Sequence, residues 1–367
     1  MKLCAMLALA IVASAAAEDI SALLEPIRTQ HALPALAAAS FSLGKPLDSG
    51  VCGVRRIGGT ERATIDDKWH LGSCTKSMTA SVAAMLVERG VLRWDSTVGD
   101  LLPNMPGMKP AWKSVTLELL LGHRAGAPHD PPPLLWAEAW KMRGTPTQQR
   151  ADFVRGLLQT DPNPAAGTQH VYSNQGYAIV GAMLEHKTGK PWEKLMREML
   201  FTPLDLKSAG FGAAGTADKI DQPWGHRRKD SALVPVPPGP DADNPPAIGP
   251  GGIVHMSIGD FARYAAWHGD EARRDARLLK GDSFHKLHTA LPGQDYALGW
   301  GTAQRPWAGG RVLTHTGSNT MNFAVMWVAP ERDFAVVAAT NTAGPGAEKG
   351  CDMAVAALIQ KWEAARR

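Results

Sequence analysis

Segments with the composition of β-strands lie at the two ends of this chain, and the middle has a different pattern. The first two form a predicted hairpin around Gly44-Lys45-Pro46, and the last two turn at Pro330-Glu331-Arg332. The predicted strand ranges are 35–43, 48–57, 296–301, 311–314, 322–329 and 333–341. Strands at both ends with helices between them favour a single sheet with an insertion. We therefore predict an α+β fold in which one antiparallel sheet is built from both chain ends and flanked by helices.

The middle of the chain is predicted to be mainly helical. Apolar residues recur at helical spacing in 176–186, 191–200 and 257–268, and two helices outside the middle, 20–31 and 347–366, flank the predicted sheet. Two proline-rich segments, 131–133 and 234–250, are interpreted as loops too stiff and polar for a core. We therefore predict an α/β lobe of residues 18–95 plus 275–367, a mainly helical lobe of residues 96–274, and an active site between the two lobes.

Residues 1–17 have the features of a secretory signal peptide. Lys2 precedes an apolar run from Leu3 to Val12, and three alanines end at a cleavage site after Ala17. The run is too short to cross a bilayer, and no later stretch reaches the roughly 20 apolar residues of a membrane span. We therefore expect secretion, with the periplasm as destination. The small net charge of +4, without a basic stripe, argues against nucleic acid as a partner, and the sequence does not specify an oligomeric state.

Three cysteines would remain after cleavage of residues 1–17: Cys52, Cys74 and Cys351. An odd number leaves at least one thiol free or paired between chains. As a hypothesis, Cys52 and Cys351 form a disulfide, because both chain ends contribute to the predicted sheet.

The stretch from Trp69 to Lys76 precedes a long helix with a buried face. Apolar residues follow at positions 78, 82, 85 and 86, and Gly90 supplies a C-terminal cap. Ser73 therefore lies in the first turn and Lys76 one turn later, so the amine can hydrogen-bond the hydroxyl near the positive end of the helix dipole. A partly desolvated amine can lose its proton near neutral pH and accept one from serine. The same S-x-x-K spacing recurs at 42–45 and 283–286, and only the helix context selects Ser73.

Two further motifs complete a candidate acyl-transfer site. Tyr172 and Asn174 lie two residues apart in a predicted extended loop, so their side chains point to the same side, where the tyrosine can shuttle a proton and the amide can hold a substrate. The segment 315–318 (His-Thr-Gly-Ser) offers small residues and an edge strand whose N–H groups can stabilise an oxyanion. A literal K-T-G at 187–189 is rejected because Gly189 is explained as a helix cap.

S-x-x-K, Y-x-N and [K/H]-T-G in this order resemble the motifs of the penicillin-recognising serine hydrolases. Within that family the motifs look most like those of class C β-lactamases, D-alanyl-D-alanine carboxypeptidases and related esterases. Three longer segments resemble the family's L-L-x-H-x-S-G-L-P, Y-S-N…P-L-x-x and G-G-L-x-S elements: 117–128, 172–211 and 251–254. The resemblance covers nearly all of the chain after residue 17 and implies a β-lactamase/transpeptidase-like fold.

The resemblance also implies a role for each motif residue. Ser73 is the expected nucleophile, Lys76 its base or base partner, and Tyr172 the acid that protonates the leaving group. The expected substrate-binding residues are Asn174, His315, Thr316, Gly317 and Ser318. Within this set, the N–H groups of Ser73 and Ser318 form the oxyanion hole, His315 tunes Tyr172, and Thr316 meets a substrate carboxylate or carbonyl. No H-E-x-x-H or C-x-x-C motif is present, so we expect neither a metal nor another cofactor.

Two positions depart from the family pattern. His315 replaces the lysine most associated with holding a β-lactam carboxylate, and a neutral imidazole attracts an anion less strongly. Arg124-Ala125 stands where Thr-Ser is usual, and no physical account of its effect follows. We therefore favour an esterase or D-amino-acid peptidase that acts through an acyl-serine on a small-molecule or peptide substrate with an ester, amide or peptide carbonyl. A class C-type β-lactamase and a non-hydrolysing penicillin-binding or sensor protein stay open as alternatives.

Overall fold

The computed structural model describes residues 17–230, 232–269 and 278–366. The predicted signal peptide, apart from Ala17, lies outside these residues. In the described part of the chain the strands are β1 (Glu18–Asp19), β2 (Ala35–Ser42), β3 (Lys45–Gly53), β4 (Lys68–His70), β5 (Gly210–Phe211), β6 (Gly225–Lys229), β7 (Ala232–Val236), β8 (Val254–Ser257), β9 (Gly301–Arg305), β10 (Gly310–Ser318), β11 (Phe323–Ala329) and β12 (Phe334–Thr340).

The α-helices of the described residues divide between the ends and the middle of the chain. They are α1 (Ser21–Gln30), α2 (Thr75–Glu88), α3 (Val98–Leu101), α4 (Leu117–Leu121), α5 (Pro133–Ala139), α6 (Pro146–Leu157), α7 (Asn174–Thr188), α8 (Trp192–Met196), α9 (Ile258–Trp267), α10 (Gly281–His288) and α11 (Pro345–Ala364). None of these helices is long and apolar enough to cross a membrane.

Seven strands form the central sheet in the order β1-β3-β2-β12-β11-β10-β9. The N-terminal hairpin β2–β3 joins the C-terminal strands through an antiparallel β2–β12 pair, and only the short β1–β3 pair is parallel. Two small sheets lie outside it, β4-β8-β5 and β6-β7. The prediction of an α+β fold with one sheet built from both chain ends is therefore confirmed.

Both faces of the central sheet are covered. Along β12 the side chains alternate between two apolar clusters: Phe334, Val336 and Ala338 pack with α1 and α11, whereas 335, 337 and 339 pack with α2, α9 and the helical part of the chain. Every residue of β2 and β12 is buried, as expected for strands between two layers of helices. The second cluster continues without a break into α6, α7 and α8, so sheet and helices share one core.

Three details differ from the predicted elements. Residues 246–251, expected in an exposed loop, form a largely buried 3₁₀ segment, because Arg150 and Thr79 donate hydrogen bonds to the carbonyls of Pro246 and Pro250. Residues 296–300, expected as a strand, form a turn closed by Ala297 N–H and Trp300 O, and β9 begins only at Gly301. Pro133, expected in a loop, begins α5, where its fixed φ suits the first helical position.

The disulfide hypothesis was wrong. Cys52, Cys74 and Cys351 are all free and buried. Cys52 lies on β3, where its thiol faces the carbonyl of Leu36 at 3.7 Å, whereas Cys351 lies on α11. Both pack among the apolar side chains between α11 and the sheet, so these thiols act as small core groups.

Candidate active site

The candidate nucleophile lies on a tight turn before α2. Residues 72–74 form one 3₁₀ turn, and α2 continues from Thr75. Gly72 has φ +48°, and a Cβ there would come within 2.3 Å of the backbone nitrogen of Ser318. On β10, which faces this turn, a Cβ on Gly317 would lie 2.6 Å from the backbone nitrogen of Ser73. Two glycines therefore let β10 and the Ser73 turn touch, which brings the two expected oxyanion-hole nitrogens to one place.

The amine of Lys76 is fully buried and has three partners. Its Nζ lies 3.0 Å from Ser73 Oγ, 2.6 Å from Asn174 Oδ1 and 2.7 Å from the carbonyl oxygen of Gly251. The amide and carbonyl oxygens can only accept, so the amine must donate to both of them. A neutral amine has two N–H groups and one lone pair. When neutral, it therefore directs its lone pair at the hydroxyl of Ser73.

Burial favours this neutral form. It lowers the pKa of Lys76 from 10.5 to about 7, because no carboxylate in the described site compensates for the lost hydration of the ammonium. The rings of Tyr172 and Tyr177 lie 4.7 Å and 5.4 Å from Nζ and contribute to its enclosure. A base with a pKa near neutrality is suited to take a proton from serine and return it later.

Tyr172 and Asn174 are held at the start of α7. The Ser173 hydroxyl between them caps the helix by accepting from Gly176 N–H, and it donates to the carbonyl of Pro128. This cap directs Asn174 at Lys76 and Tyr172 at Ser73. Burial raises the pKa of Tyr172, while hydrogen bonding with the Ser73 hydroxyl opposes the shift. The phenol therefore keeps its proton near neutral pH and can donate it.

His315 lies in the site but does not bond Tyr172. Its Nδ1–H donates to the carbonyl of Thr316 at 2.6 Å, and its Nε2 accepts from the hydroxyl of Tyr296 at 3.0 Å. Both ring nitrogens are thus occupied, and the ring centroids of His315 and Tyr172 are 6.4 Å apart. Burial, together with the nearby Lys76 amine, lowers the pKa of His315 to about 3, so the imidazole is neutral. The expectation that His315 tunes Tyr172 directly finds no hydrogen bond to support it.

Residues 315–318 project beyond the neighbouring strand. β9 pairs with β10 only as far as Thr314, so the last four residues of β10 lack that neighbour on one side, although β10 as a whole is an interior strand. Thr316 and Ser318 are exposed, and the alternating residues His315 and Gly317 are buried. The exposed pair and the unpaired strand edge are accessible to a substrate.

The motifs did not identify three groups of the site. These are the carbonyl of Gly251, the hydroxyl of Tyr296 and the ring of His123. A backbone carbonyl has no sequence signature, and Tyr296 lay in a segment predicted as a strand. His123 lies in the segment 117–128 and was given no role in the predicted site; its Nδ1 accepts from Ser173 N–H, and its ring lies 4.4 Å from that of Tyr172. The advance signals were the segments 117–128 and 251–254, whose resemblance to family elements includes His123 and Gly251.

No group of three or more histidine, cysteine, aspartate or glutamate side chains in the described part of the chain is arranged to hold a metal ion. The chemistry available from the residues present is acyl transfer: a serine, a buried amine, a tyrosine and two converging backbone N–H groups.

Comparisons with known proteins agree with this arrangement. A sequence model described as Beta-lactamase matches residues 20–360. Penicillin-binding protein 4 of Amycolatopsis lactamdurans is 29% identical over 329 residues, which cover 86% of this chain and 83% of that protein. Unguisins hydrolase ungD' of Aspergillus campestris (strain IBT 28561) is 25% identical over 298 residues, which cover 76% of this chain but only 53% of that protein.

A solved structure shows the same fold at lower identity. The D-amino acid amidase from Ochrobactrum anthropi SV3, complexed with L-phenylalanine, superposes with a TM-score of 0.74 and 20% identity, covering 95% of this chain and 99% of the amidase. This likeness confirms the predicted fold class. Because the matched sequence model extends over nearly the whole described chain, the protein belongs to the Beta-lactamase family of serine hydrolases.

Proposed function

We propose that this protein is a secreted hydrolase that forms an acyl-enzyme on Ser73 and cleaves amide, ester or peptide bonds, with D-amino-acid derivatives as its preferred substrates. The observation that carries the proposal is the set of three contacts of Lys76 Nζ, which orients the lone pair of a neutral amine toward the Ser73 hydroxyl. A protein that only binds a ligand does not need this arrangement.

In the proposed acylation, neutral Lys76 takes the hydroxyl proton of Ser73 as Oγ attacks the substrate carbonyl. The oxyanion that forms is stabilised by the backbone N–H groups of Ser73 and Ser318. The carbonyl then re-forms, the bond to the leaving group breaks, and Tyr172 passes its proton to the departing nitrogen or oxygen. Lys76 returns the proton to Tyr172, so the side chains end in their starting states and Ser73 carries the acyl group.

Deacylation follows the same route with water as the nucleophile. Water gives one proton to the base and attacks the acyl carbonyl, and the ester bond to Ser73 breaks. The proton returns to Ser73 Oγ, and the carboxylic acid product leaves. The oxyanion is held by the same pair of N–H groups, so acylation and hydrolysis need no further residues.

Two observations support D-amino-acid derivatives over β-lactams. The neutral His315 presents no fixed positive charge to a substrate carboxylate at the third motif. Among the relatives, one protein is named as a hydrolase of unguisins and one solved structure as a D-amino acid amidase. Penicillin-binding protein 4 keeps β-lactam acylation as the second candidate, which the same experiment tests.

Export is part of the proposal and rests on the sequence of residues 1–17. N-terminal sequencing of protein recovered from the periplasm of an expressing bacterium tests it. A mature chain that begins at Glu18 is the expected result. An intact Met1 in the cytoplasmic fraction would contradict it.

Intact-protein mass spectrometry tests the chemistry. The mature chain is mixed separately with a fluorophosphonate, a D-phenylalanine amide, an activated acetyl ester and a penicillin, with Ser73→Ala and Lys76→Ala as controls. We expect a Ser73-dependent adduct that forms and clears with the ester and the amide, and forms slowly or persists with penicillin. Fast penicillin turnover would favour the β-lactamase alternative. A penicillin adduct that never clears, without turnover of ester or amide, would favour the sensor alternative.

A further inference from the structure

One buried carboxylate joins the two sides of the expected oxyanion hole. Asp243 follows a 3₁₀ turn in the proline-rich segment and is only 6% exposed. Its Oδ2 lies 2.7 Å from His70 Nε2, and its Oδ1 lies 3.2 Å from Asn319 Nδ2. His70 lies two residues before Gly72, and Asn319 directly follows Ser318. The carboxylate thus bonds one side chain from each of the two segments that supply the hole.

On the nucleophile side, His70 carries the link to the backbone. Its Nδ1 accepts the N–H of Gly72 at 3.1 Å, so the ring hydrogen lies on Nε2 and donates to Asp243. Gly72 has the left-handed φ of +48° that allows Ser73 to approach β10. The hydrogen bond to His70 Nδ1 therefore fixes the backbone at Gly72. Because Ser73 follows directly, this bond also restricts the direction of the Ser73 N–H.

On the strand side, Asn319 holds the turn after β10. Its Nδ2 also donates to the carbonyl of Ala242, and its Oδ1 accepts from Asn322 Nδ2 and from Met321 N–H. The two polar groups of this amide thus make four hydrogen bonds, and Asn319 is only 3% exposed. The turn cannot shift without breaking several of these bonds, so the position of Ser318 N–H depends on them.

We propose that Asp243, His70 and Asn319 form a positioning network that sets the separation of the two oxyanion-hole N–H groups. None of the three touches the reacting atoms. The network makes the segment around residue 243 a determinant of catalysis, although it lies far from Ser73 in the sequence. The inference rests on the proposed function, because it concerns the same Ser73 centre.

The test measures the rate at which a fluorophosphonate labels Ser73 and, separately, kcat and KM for the activated ester. The variants are Asp243→Ala, Asn319→Ala, His70→Asn and His70→Gln. Asparagine keeps an acceptor near the position of Nδ1, whereas glutamine places its amide near Nε2. The matched control is His255→Asn: His255 pairs with His70 across β4 and β8 and is similarly buried, but it bonds the carbonyl of Gly212.

We expect Asp243→Ala and Asn319→Ala to lower kcat and the labelling rate by about 10- to 100-fold, with KM within about twofold of wild type. The loss is smaller than for complete removal of an oxyanion-hole donor, because a displaced N–H group still stabilises the oxyanion in part. His70→Asn should label at least about fivefold faster than His70→Gln. The control should keep the wild-type rates while losing a similar amount of thermal stability.

The proposal is overturned if the labelling rates of Asp243→Ala and Asn319→Ala stay within twofold of wild type. It is also overturned if His255→Asn slows labelling as much as they do, which would indicate general loosening. Fluorophosphonate labelling does not depend on the natural substrate. If wild-type protein labels on Ser73 but turns over no ester or amide, the proposed function fails while the positioning network is still tested by these rates.

Discussion

The most direct consequence of the buried amine is a pH profile. Only neutral Lys76 can accept the proton of Ser73, and its pKa is lowered from 10.5 to about 7 by burial. The neutral fraction therefore rises from about 10% at pH 6 to about 90% at pH 8. We expect kcat/KM for an activated ester to rise roughly tenfold over that interval and to level off above pH 8.

The neighbouring titratable groups do not produce such a rise. The pKa of His315 is lowered to about 3 and that of His123 falls well below its ordinary value, whereas burial raises the pKa of Tyr172. The assay records initial rates from pH 5 to 9, with Ser73→Ala subtracted for spontaneous hydrolysis. Lys76→Arg supplies the control, because a guanidinium stays charged and should lose the inflection together with the activity. A flat profile from pH 5 to 9, or a rate that still rises steeply at pH 9 without a plateau, would refute a neutral lysine base with a pKa near 7.

The lowered pKa of Lys76 also makes the free energy of unfolding depend on pH. Between pH 7 and 10.5 the folded protein binds fewer protons at Lys76 than the unfolded chain, so stability rises with pH through this window. The unfavourable contribution is fully present below pH 7. Between pH 7 and 10, wild type should gain about 3 to 4 kcal/mol relative to Lys76→Met. Urea unfolding of both proteins at several pH values measures the difference, and a gap that does not change with pH would contradict the assignment.

Four further results are expected. Gly317→Ala should slow fluorophosphonate labelling by more than about 100-fold, because its Cβ would lie 2.6 Å from the nucleophile's backbone nitrogen; labelling at the wild-type rate would contradict the contact. Tyr172→Phe should slow amide cleavage by about 10² to 10⁴ and nitrophenyl ester cleavage far less, since nitrophenolate leaves without a proton; equal losses would argue against its acid role. Tyr296→Phe should lower unfolding free energy by about 1 to 3 kcal/mol in urea titration, because buried His315 loses its donor. Alkylation of denatured, unreduced protein should modify Cys52, Cys74 and Cys351, and a missing adduct at any of them would indicate a disulfide.

The sheet was predictable from the sequence because its signals are local. The turn residues and the lengths of the apolar runs between them are readable in the sequence, and one antiparallel sheet from both ends follows from their distribution. The turn at 296–300 was predicted wrongly for the same reason. Its residues have the composition of a strand, but Ala297 bonds Trp300 within the segment, and Gly299 has φ +82°. Composition alone does not distinguish an apolar strand from an apolar turn.

The buried segment 246–251 shows a different limit. Its prolines and glycines are typical of an exposed loop, and its backbone carbonyls would be costly to bury without partners. The partners come from elsewhere in the chain: Arg150 donates to Pro246 O, Thr79 to Pro250 O and Lys76 to Gly251 O. No local pattern records these bonds, so neither the burial of the segment nor its place in the candidate site could be predicted.

The candidate site depends on tertiary structure in a way that the motifs alone do not express. Lys76 is one helical turn from Ser73 in any helix, but an exposed lysine there would be protonated and could not act as a base. The neutral amine requires Asn174 from α7, Gly251 from the buried segment and the ring of Tyr172 to enclose it. The base is therefore created by the same long-range packing that completes the core. Loosening of any of these segments should raise the pKa of Lys76 and reduce activity at neutral pH before it unfolds the protein.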